Sequence, residues 1–173
     1  RLWLPWKVFG SNGHLVQPTE GVPSGFTKRK AVEYSMTSSV LGFGKSFTRV
    51  KDKLHMMTHC SGNGDPILYY SNGSRILYGN EHSTTVLGEE DVKMQDLQLN
   101  HYMFQSRDYY QKIKCSRGGG QSGKISKYTM EFFDKHEPHA NAVNDTGLME
   151  RYQLQDRAHK CISKFAKLGD PSR

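Results

Sequence analysis

The first nine residues combine tryptophan, leucine, valine and phenylalanine with few polar side chains. A short apolar run of this kind, bounded by turn residues, predicts a buried β-strand. Gly10 and Gly13 follow within residues 10–14, which predict a turn because glycine adopts positive φ angles without strain. The chain therefore begins with a buried strand that ends at a glycine-containing turn.

Shorter strands and helices are predicted along the rest of the chain. Residues 97–102 alternate apolar and polar side chains as a half-buried strand does, and residues 71–73 predict a hairpin-like turn. Ser106 predicts a helix start, since its hydroxyl can accept an otherwise unpaired backbone N–H. The other predicted elements are strands at 45–50, 54–58 and 67–70, a loop over 15–30, a short helix or extended segment near 31–36, turns at 59–66 and 89–91, and helices over 130–136 and 148–168.

Length and composition limit the classes of protein to which this chain can belong. Its 173 residues suit one domain with its own core. No apolar run approaches the roughly 20 residues that a membrane-spanning helix needs. Hydrophobic residues make up 35% of the chain and 17 residues are glycine, which favours long loops. Because the sequence has neither an initiator methionine nor a signal peptide, we expect a fragment whose N-terminal part is absent.

The net charge of +7 suits a nucleic acid, a nucleotide diphosphate or an anionic membrane surface. However, the basic residues are spread along the chain without an RNA-binding signature, so solvated faces are the alternative. Cys60, Cys115 and Cys161 form no C-x-x-C pair, which argues against a zinc ribbon and leaves one disulfide plus a free thiol open. Two N-glycosylation triplets, at Asn72 and Asn144, weakly favour a secretory lumen.

His101 is the most informative candidate for a functional side chain. It lies in Leu99–Tyr102, at the C-terminal end of a predicted strand, where α/β enzymes tend to place functional residues. Neutral imidazole is a good ligand for a divalent metal ion. The alternative is a histidine that is hydrogen-bonded within a loop, and the residues alone leave both interpretations open.

Four segments, taken in order, resemble the C-terminal half of glycosyltransferase family 92-like proteins, which have the GT-A fold and are similar to glycosyltransferase family 2. The resemblance covers about residues 3–152, and its specificity comes from the order of the four segments. The segments are 6–14 (W-x-x-F-G-S-x-G-H), 45–59 (K-S-I-x-x-P…H), 99–106 (L-N-H-Y-x-x-K-S) and 132–146 (F-F…D-T).

The chain departs from the family pattern at several positions. Gln105 stands where the family has lysine, and the proline of the second segment is absent, with Lys51 or Asp52 near its place. The metal-binding D-x-D motif of such enzymes lies upstream of the first segment, and this chain begins too late to contain it. The acidic triplet at 89–91 is interpreted as a solvated turn and not as a substitute for that motif.

The resemblance implies an α/β fold, namely the C-terminal part of a GT-A-like mixed-sheet domain with long loops and a C-terminal helix. The whole of residues 1–173 would be a single partial glycosyltransferase domain without its nucleotide-binding half. The implied reaction transfers a sugar from a nucleotide-sugar donor to a glycan, glycoprotein or other hydroxyl acceptor with Mn²⁺ or Mg²⁺. His101 is implied as a metal or diphosphate ligand, and the implied donor- or acceptor-binding residues are Gly10, Ser11, Gly13, His14, Lys45, Asn100 and Arg117.

No catalytic base can be assigned from the sequence. Asp145 falls in a matching segment, but we favour it as a cap for a helix that starts at Gly147. The alternatives to an enzyme are a non-catalytic glycosyltransferase-like binding module and, below it, a basic nucleic-acid-binding domain. No nucleic-acid partner is expected, and membrane attachment is expected only through a segment outside this chain. The resemblance implies the Golgi or another secretory lumen in a eukaryote and the cytoplasm otherwise.

Overall fold

The computed structural model describes residues 2–32, 34–35, 44–49, 55–56, 61–62, 68–76, 86–93, 96–117 and 128–152. The chain divides into two compact units. Unit 1 contains residues 1–8 and 31–101, and unit 2 contains residues 9–30 and 102–173. The expectation of a single domain over residues 1–173 stays a prediction.

The described strands are short, apart from the first. The opening apolar run forms an eight-residue strand, as its composition predicts. The strands are β1 (Leu2–Phe9), β2 (Lys28–Arg29), β3 (Tyr34–Ser35), β4 (Gly44–Phe47), β5 (His55–Met56), β6 (Ser61–Gly62), β7 (Leu68–Tyr69), β8 (Arg75–Ile76), β9 (Val86–Leu87), β10 (Leu99–Tyr102) and β11 (Val143–Asn144).

The described helices are also short, and several have capping side chains. Ser106 accepts a hydrogen bond from the backbone N–H of Tyr109, so its predicted role as a helix cap is confirmed. Thr129 caps the next helix by accepting from Phe132 N. The helical segments are α1 (Val22–Gly25), α2 (Glu89–Lys93), α3 (Arg107–Tyr109) continuing as a π-helical turn (Tyr110–Lys114), α4 (Met130–His136), a 3₁₀ turn (Pro138–Asn141) and α5 (Gly147–Tyr152).

Unit 1 is built on β1. This strand pairs antiparallel with β4, from Leu2 opposite Phe47 to Pro5 opposite Gly44, and parallel with β7. The β7–β8 hairpin closes through a turn in which Gly73 has φ +83° and donates to the carbonyl of Tyr70. A mainly antiparallel open sheet results, with the fully buried Trp3 in its core.

Unit 2 contains a second set of paired strands around β2. Phe9, the last residue of β1, pairs with Arg29, and Arg29 also pairs with Val143 of β11. The Arg29 guanidinium contacts Asp145 Oδ2 at 2.6 Å, with only 4% and 9% of the two side chains exposed. A buried ion pair is costly to break because each charge has left water, so this contact fixes the end of β11 against β2.

An aromatic cluster forms the core of the helical part of unit 2. Tyr110 is fully buried, and its ring lies 4.9 Å from Phe133 and 5.9 Å from Phe104, measured between centroids. Tyr128 meets Tyr110 edge-on at 6.3 Å. Rings in these stacked, tilted and edge-on arrangements add to the stabilisation that burial alone provides.

The Tyr110 hydroxyl is buried and has no hydrogen-bond partner in the part of the chain that the structure describes. Burial, followed by the nearby Cys115 and Tyr128, raises the pKa of this phenol, so it stays neutral. A Tyr110→Phe change should therefore raise the free energy of unfolding by about 1 kcal/mol, because it removes an unsatisfied buried group. Urea unfolding followed by circular dichroism measures this, with the neighbouring Tyr109→Phe as control. A loss of stability in Tyr110→Phe would contradict the prediction.

Several predicted elements have the expected type and place. The strand over the first nine residues, the hairpin turn at 71–73 and the strand ending at Tyr102 are confirmed, and α4 has the predicted bounds of 130–136. The described residues within the predicted strands at 45–50, 54–58 and 67–70 include β4, β5 and β7, and the rest of these ranges lies partly outside the described residues. Within the segment near 31–36, residues 34–35 form β3, which agrees with the extended alternative at these two positions. The described part of the chain therefore has mixed α/β content.

Other predictions differ from the structure. Residues 15–30 are not loop throughout, since they contain α1 and β2. Residues 89–91 form the first turn of α2 instead of a solvated turn, because acidic side chains favour the positive end of a helix and Glu89 accepts a hydrogen bond from Val32 N. The predicted turn at 59–66 contains β6. Of the predicted helix over 148–168, the structure describes the part up to Tyr152 as α5, and the rest lies outside the described residues.

Candidate functional site

In unit 1, His101 lies inside β10 and stacks on Trp6 of β1. The ring centroids are 4.2 Å apart with an interplanar angle of 24°, and both side chains are half-buried. The first and third segments of the resemblance, 6–14 and 99–106, thus contact each other through these two rings. Face-to-face stacking restricts rotation of the imidazole, so its nitrogens have a defined direction.

Polar contacts beside the stack hold the start of β10. Lys7 is 7% exposed, and its Nζ donates to Gln98 Oε1 at 2.8 Å. Gln98 Nε2 in turn donates to Asn100 Oδ1. Asn100, a predicted donor- or acceptor-binding residue, therefore uses its amide oxygen to accept a hydrogen bond from the residue just before β10.

Lys45 lies on β4, opposite Leu4 of β1, and its side chain is exposed. A shallow cleft near this strand is lined by Leu2, Phe47, Thr48 and Arg49. The exposure of Lys45 agrees with both the predicted donor- or acceptor-binding role and a solvated charge.

Elsewhere in unit 1, Tyr70 is a buried phenol. Burial, and then the charge of Asp91, raises its pKa to about 12. Tyr70 is therefore protonated at neutral pH, which makes it a poor general base.

In unit 2, the predicted loop at 10–14 is held by one carboxylate. Glu137 Oε1 accepts hydrogen bonds from the backbone N–H of Ser11, the Ser11 hydroxyl and Asn141 Nδ2. Ser11 Oγ also accepts from Gly13 N at 2.9 Å, while Asn141 Oδ1 accepts from Asn12 N at 3.0 Å. Since Ser11 is only 3% exposed and its hydroxyl both donates and accepts inside the loop, its observed contacts are those of a loop-forming residue.

The two predicted glycines of the loop are required for different structural reasons. A Cβ on Gly10 would lie 2.3 Å from Asn141 Oδ1 and 2.6 Å from the carbonyl oxygen of Ala140, so the chain approaches too closely for any side chain. Gly13 has φ +82°, and a Cβ there would meet no atom within 4 Å. Gly10 is therefore required by contact and Gly13 by backbone conformation.

His14 completes the loop by joining it to neighbouring segments. Its Nε2 lies 2.9 Å from the carbonyl oxygen of Gly25, and its ring meets Phe26 edge-on at 5.6 Å. The backbone carbonyl of His14 accepts from Arg107 N at 3.0 Å. Because a carbonyl only accepts, the contact requires the tautomer or ion with a proton on Nε2.

The Asp145 carboxylate contacts both a helix end and a guanidinium. Its Oδ1 accepts from Gly147 N at 3.3 Å at the start of α5, as the capping interpretation predicts, and its Oδ2 contacts Arg29. A carboxylate that is held by a guanidinium and a helix end is poorly suited to removing a proton from a substrate hydroxyl.

The resemblance implies one metal ligand within this chain, His101. Among the residues that the structure describes, no three His, Cys, Asp or Glu side chains group closely enough to hold a metal. Mn²⁺ or Mg²⁺ at His101 stays a prediction. Of the cysteines, Cys115 is a free thiol, while Cys60 and Cys161 lie outside the described ranges.

Among the residues that the structure describes, no helix has the length and apolar character to cross a bilayer.

Sequence reasoning did not single out Glu137 or Asn141. Both lie within the fourth resembling segment, four residues apart, which places them on one side of a helical turn.

The predicted site residues fall into both units. Asn100, His101 and Lys45 belong to unit 1, whereas Gly10, Ser11, Gly13, His14 and Arg117 belong to unit 2. No protein-family model, curated protein or solved structure matches the chain.

Proposed function

We propose that this chain is the C-terminal part of a GT-A glycosyltransferase that transfers a sugar from a nucleotide-sugar donor to a hydroxyl of a glycan or glycoprotein. The supporting observation is the stack of Trp6 on His101, two residues that belong to different segments of the family resemblance. A functional imidazole needs a fixed orientation, and this stack provides one.

The chemistry of such a transfer explains the residue types. Breaking the bond between sugar and phosphate develops negative charge on the diphosphate leaving group, and nearby cations lower the barrier. A divalent ion supplies Lewis-acid stabilisation of that charge when bound. We assign one donor nitrogen to His101, and the carboxylate ligands to a D-x-D motif outside this chain. Mn²⁺ accepts such a mixed imidazole and carboxylate set.

The remaining predicted residues have supporting roles in the proposal. Lys45 and Arg117 are assigned to the diphosphate as cations, and Asn100 orients the segment beside His101. The backbone of the 10–14 loop and the His14 ring are assigned to the donor sugar or the acceptor hydroxyl. A secretory compartment such as the Golgi suits a glycoprotein acceptor.

A His101→Phe change tests the proposal because phenylalanine keeps a ring against Trp6 and removes both nitrogens. In the longest natural protein that contains this chain, we expect sugar transfer to fall by about 100-fold, the upper range for disturbed metal ligation. Transfer from radiolabelled nucleotide sugars measures this, and Mn²⁺ titration by electron paramagnetic resonance measures metal affinity in parallel.

The exposed His139, on the 3₁₀ turn, provides a matched control, since His139→Phe should leave transfer and Mn²⁺ affinity unchanged. Unchanged transfer in His101→Phe would overturn the role of His101. Absence of transfer and of donor hydrolysis in the natural protein would instead favour a non-catalytic binding module.

A further inference from the structure

Asn72 lies in the turn of the β7–β8 hairpin and begins one of the two N-x-S/T triplets of the chain. All three residues of this triplet, from Asn72 to Ser74, are exposed. Gly73, the middle residue, has φ +83°, and a Cβ there would meet no atom within 4 Å. The turn is closed by Tyr70, whose carbonyl accepts from Gly73 N at 3.0 Å and whose N–H donates to the carbonyl of Ser74 at 2.9 Å. A bulky group attached to this turn therefore has open space around it.

The Asn72 side chain is oriented by the serine of its own triplet. Asn72 Oδ1 accepts from Ser74 N at 3.0 Å and from the Ser74 hydroxyl at 2.7 Å. Because a backbone N–H can only donate, the atom that it contacts is the amide oxygen, and Nδ2 lies on the other side of the planar amide. The third-position hydroxyl is what distinguishes a glycosylation triplet from any other asparagine, and here it contacts the amide that would be modified.

The contacts that orient Asn72 are local in sequence. They join residues within positions 70–74 and include no partner from elsewhere in the chain. Asparagine followed by glycine forms such turns through its own backbone preferences and side-chain hydrogen bonds. The same geometry is therefore accessible to the chain during synthesis and in the folded protein.

The triplet at Asn144 has a different setting, although its asparagine is also exposed. Asn144 is paired within β11, and the middle residue Asp145 forms the buried ion pair with Arg29. The Thr146 hydroxyl donates to Glu150 Oε1 at the start of α5. In the folded protein, access to this triplet would require breaking a buried ion pair, and before folding the Asp145 carboxylate would repel an anionic donor.

We propose that Asn72, and not Asn144, carries an N-linked oligosaccharide. In the reaction, Asn72 Nδ2 forms a bond to the anomeric carbon of an oligosaccharide that is linked to a lipid diphosphate. The bond between that carbon and the diphosphate oxygen breaks, the lipid diphosphate leaves with the bonding electrons, and the amide nitrogen loses one proton. The inference rests on the proposed function only for the compartment, because such triplets are modified in secretory proteins.

Peptide mass spectrometry of the longest natural protein that contains this chain, produced in cultured eukaryotic cells, tests the site. Treatment with a peptide N-glycosidase in heavy-oxygen water labels each asparagine that carried a glycan, so the two triplets are read separately. We expect the label at Asn72 and none at Asn144. Asn72→Gln and Ser74→Ala should each abolish the mass shift that the glycosidase removes. Ser74→Thr keeps the hydroxyl and should retain the shift, as should the matched control Asn144→Gln in the other triplet.

The results that overturn the inference are distinct from those that overturn the proposed function. No label at Asn72, or a label at Asn144, overturns the inference. A shift that survives Asn72→Gln but is lost in Ser74→Ala would place the sugar on the serine oxygen and overturn it as well. An unmodified Asn72 in a protein that transfers sugar would overturn this site alone. A glycan at Asn72 in a protein without sugar transfer would overturn the proposed function alone.

Discussion

A Gly10→Ala change should lower the free energy of unfolding by about 3 kcal/mol, the upper range for overpacking a tight site. The added Cβ would lie 2.6 Å from the carbonyl oxygen of Ala140, a backbone atom that cannot move unless the 3₁₀ turn moves with it. It would also displace Asn141 Oδ1, which accepts the hydrogen bond from Asn12 N. The change therefore affects both the stability of unit 2 and the geometry of the predicted binding loop.

Urea unfolding followed by circular dichroism measures the loss, and hydrogen exchange of the Asn12 amide measures the local effect. Gly147→Ala provides the matched control in the same unit, because its Cβ would lie at an ordinary 3.4 Å from Asp145 Oδ1. Alanine also favours the helix there by up to about 1 kcal/mol. If the two alanine variants unfold at the same urea concentration, the close approach of Ala140 and Asn141 to Gly10 is contradicted.

Elements with local signals were predictable from the sequence. The apolar run of β1, the Asn72-Gly73 turn of the β7–β8 hairpin and the Ser106 cap each depend on residues within a few positions of one another. Local propensity and the observed structure agree at these places because neighbouring side chains determine the backbone there.

Elements that depend on distant partners were not predictable in the same way. The acidic residues at the start of α2 resemble a solvated turn when taken alone, yet Glu89 accepts from Val32 N, 57 residues earlier in the chain. β2 lies in a segment rich in glycine and proline, and it forms through pairing with Phe9 and Val143. Hydrogen bonds to distant residues determine the secondary structure of such segments, and a short window of sequence does not contain those partners.

The same distinction applies to the candidate site. The position of His101 in a strand was recognisable from the sequence around it. Its stacking partner Trp6, however, lies far earlier in the chain, in β1. Glu137 was missed because its three donors come from Ser11 and Asn141, and Ser11 is 126 residues away. The resemblance placed these residues in ordered segments without stating which side chains touch.

A Glu137→Ala change should also lower the free energy of unfolding by about 3 kcal/mol. It leaves the Ser11 N–H, the Ser11 hydroxyl and Asn141 Nδ2 without their common acceptor. Buried donors that lose a partner cost about 1–3 kcal/mol each, and partial access of water to this half-buried position limits the sum. Thermal and urea unfolding of the 173-residue chain measure the loss.

Two further variants separate the network from a general effect of charge. Glu137→Gln keeps an acceptor oxygen at the same position, so it should lose only about 1 kcal/mol, the difference between charged and neutral hydrogen bonds. Glu131→Ala removes an exposed carboxylate from the first turn of α4 and should change stability by no more than about 0.5 kcal/mol. Because the Glu137 carboxylate accepts hydrogen bonds from Ser11, the loss of stability should decrease in the order Glu137→Ala, Glu137→Gln, Glu131→Ala. Equal losses in all three variants would mean that net charge, and not this carboxylate, holds the loop.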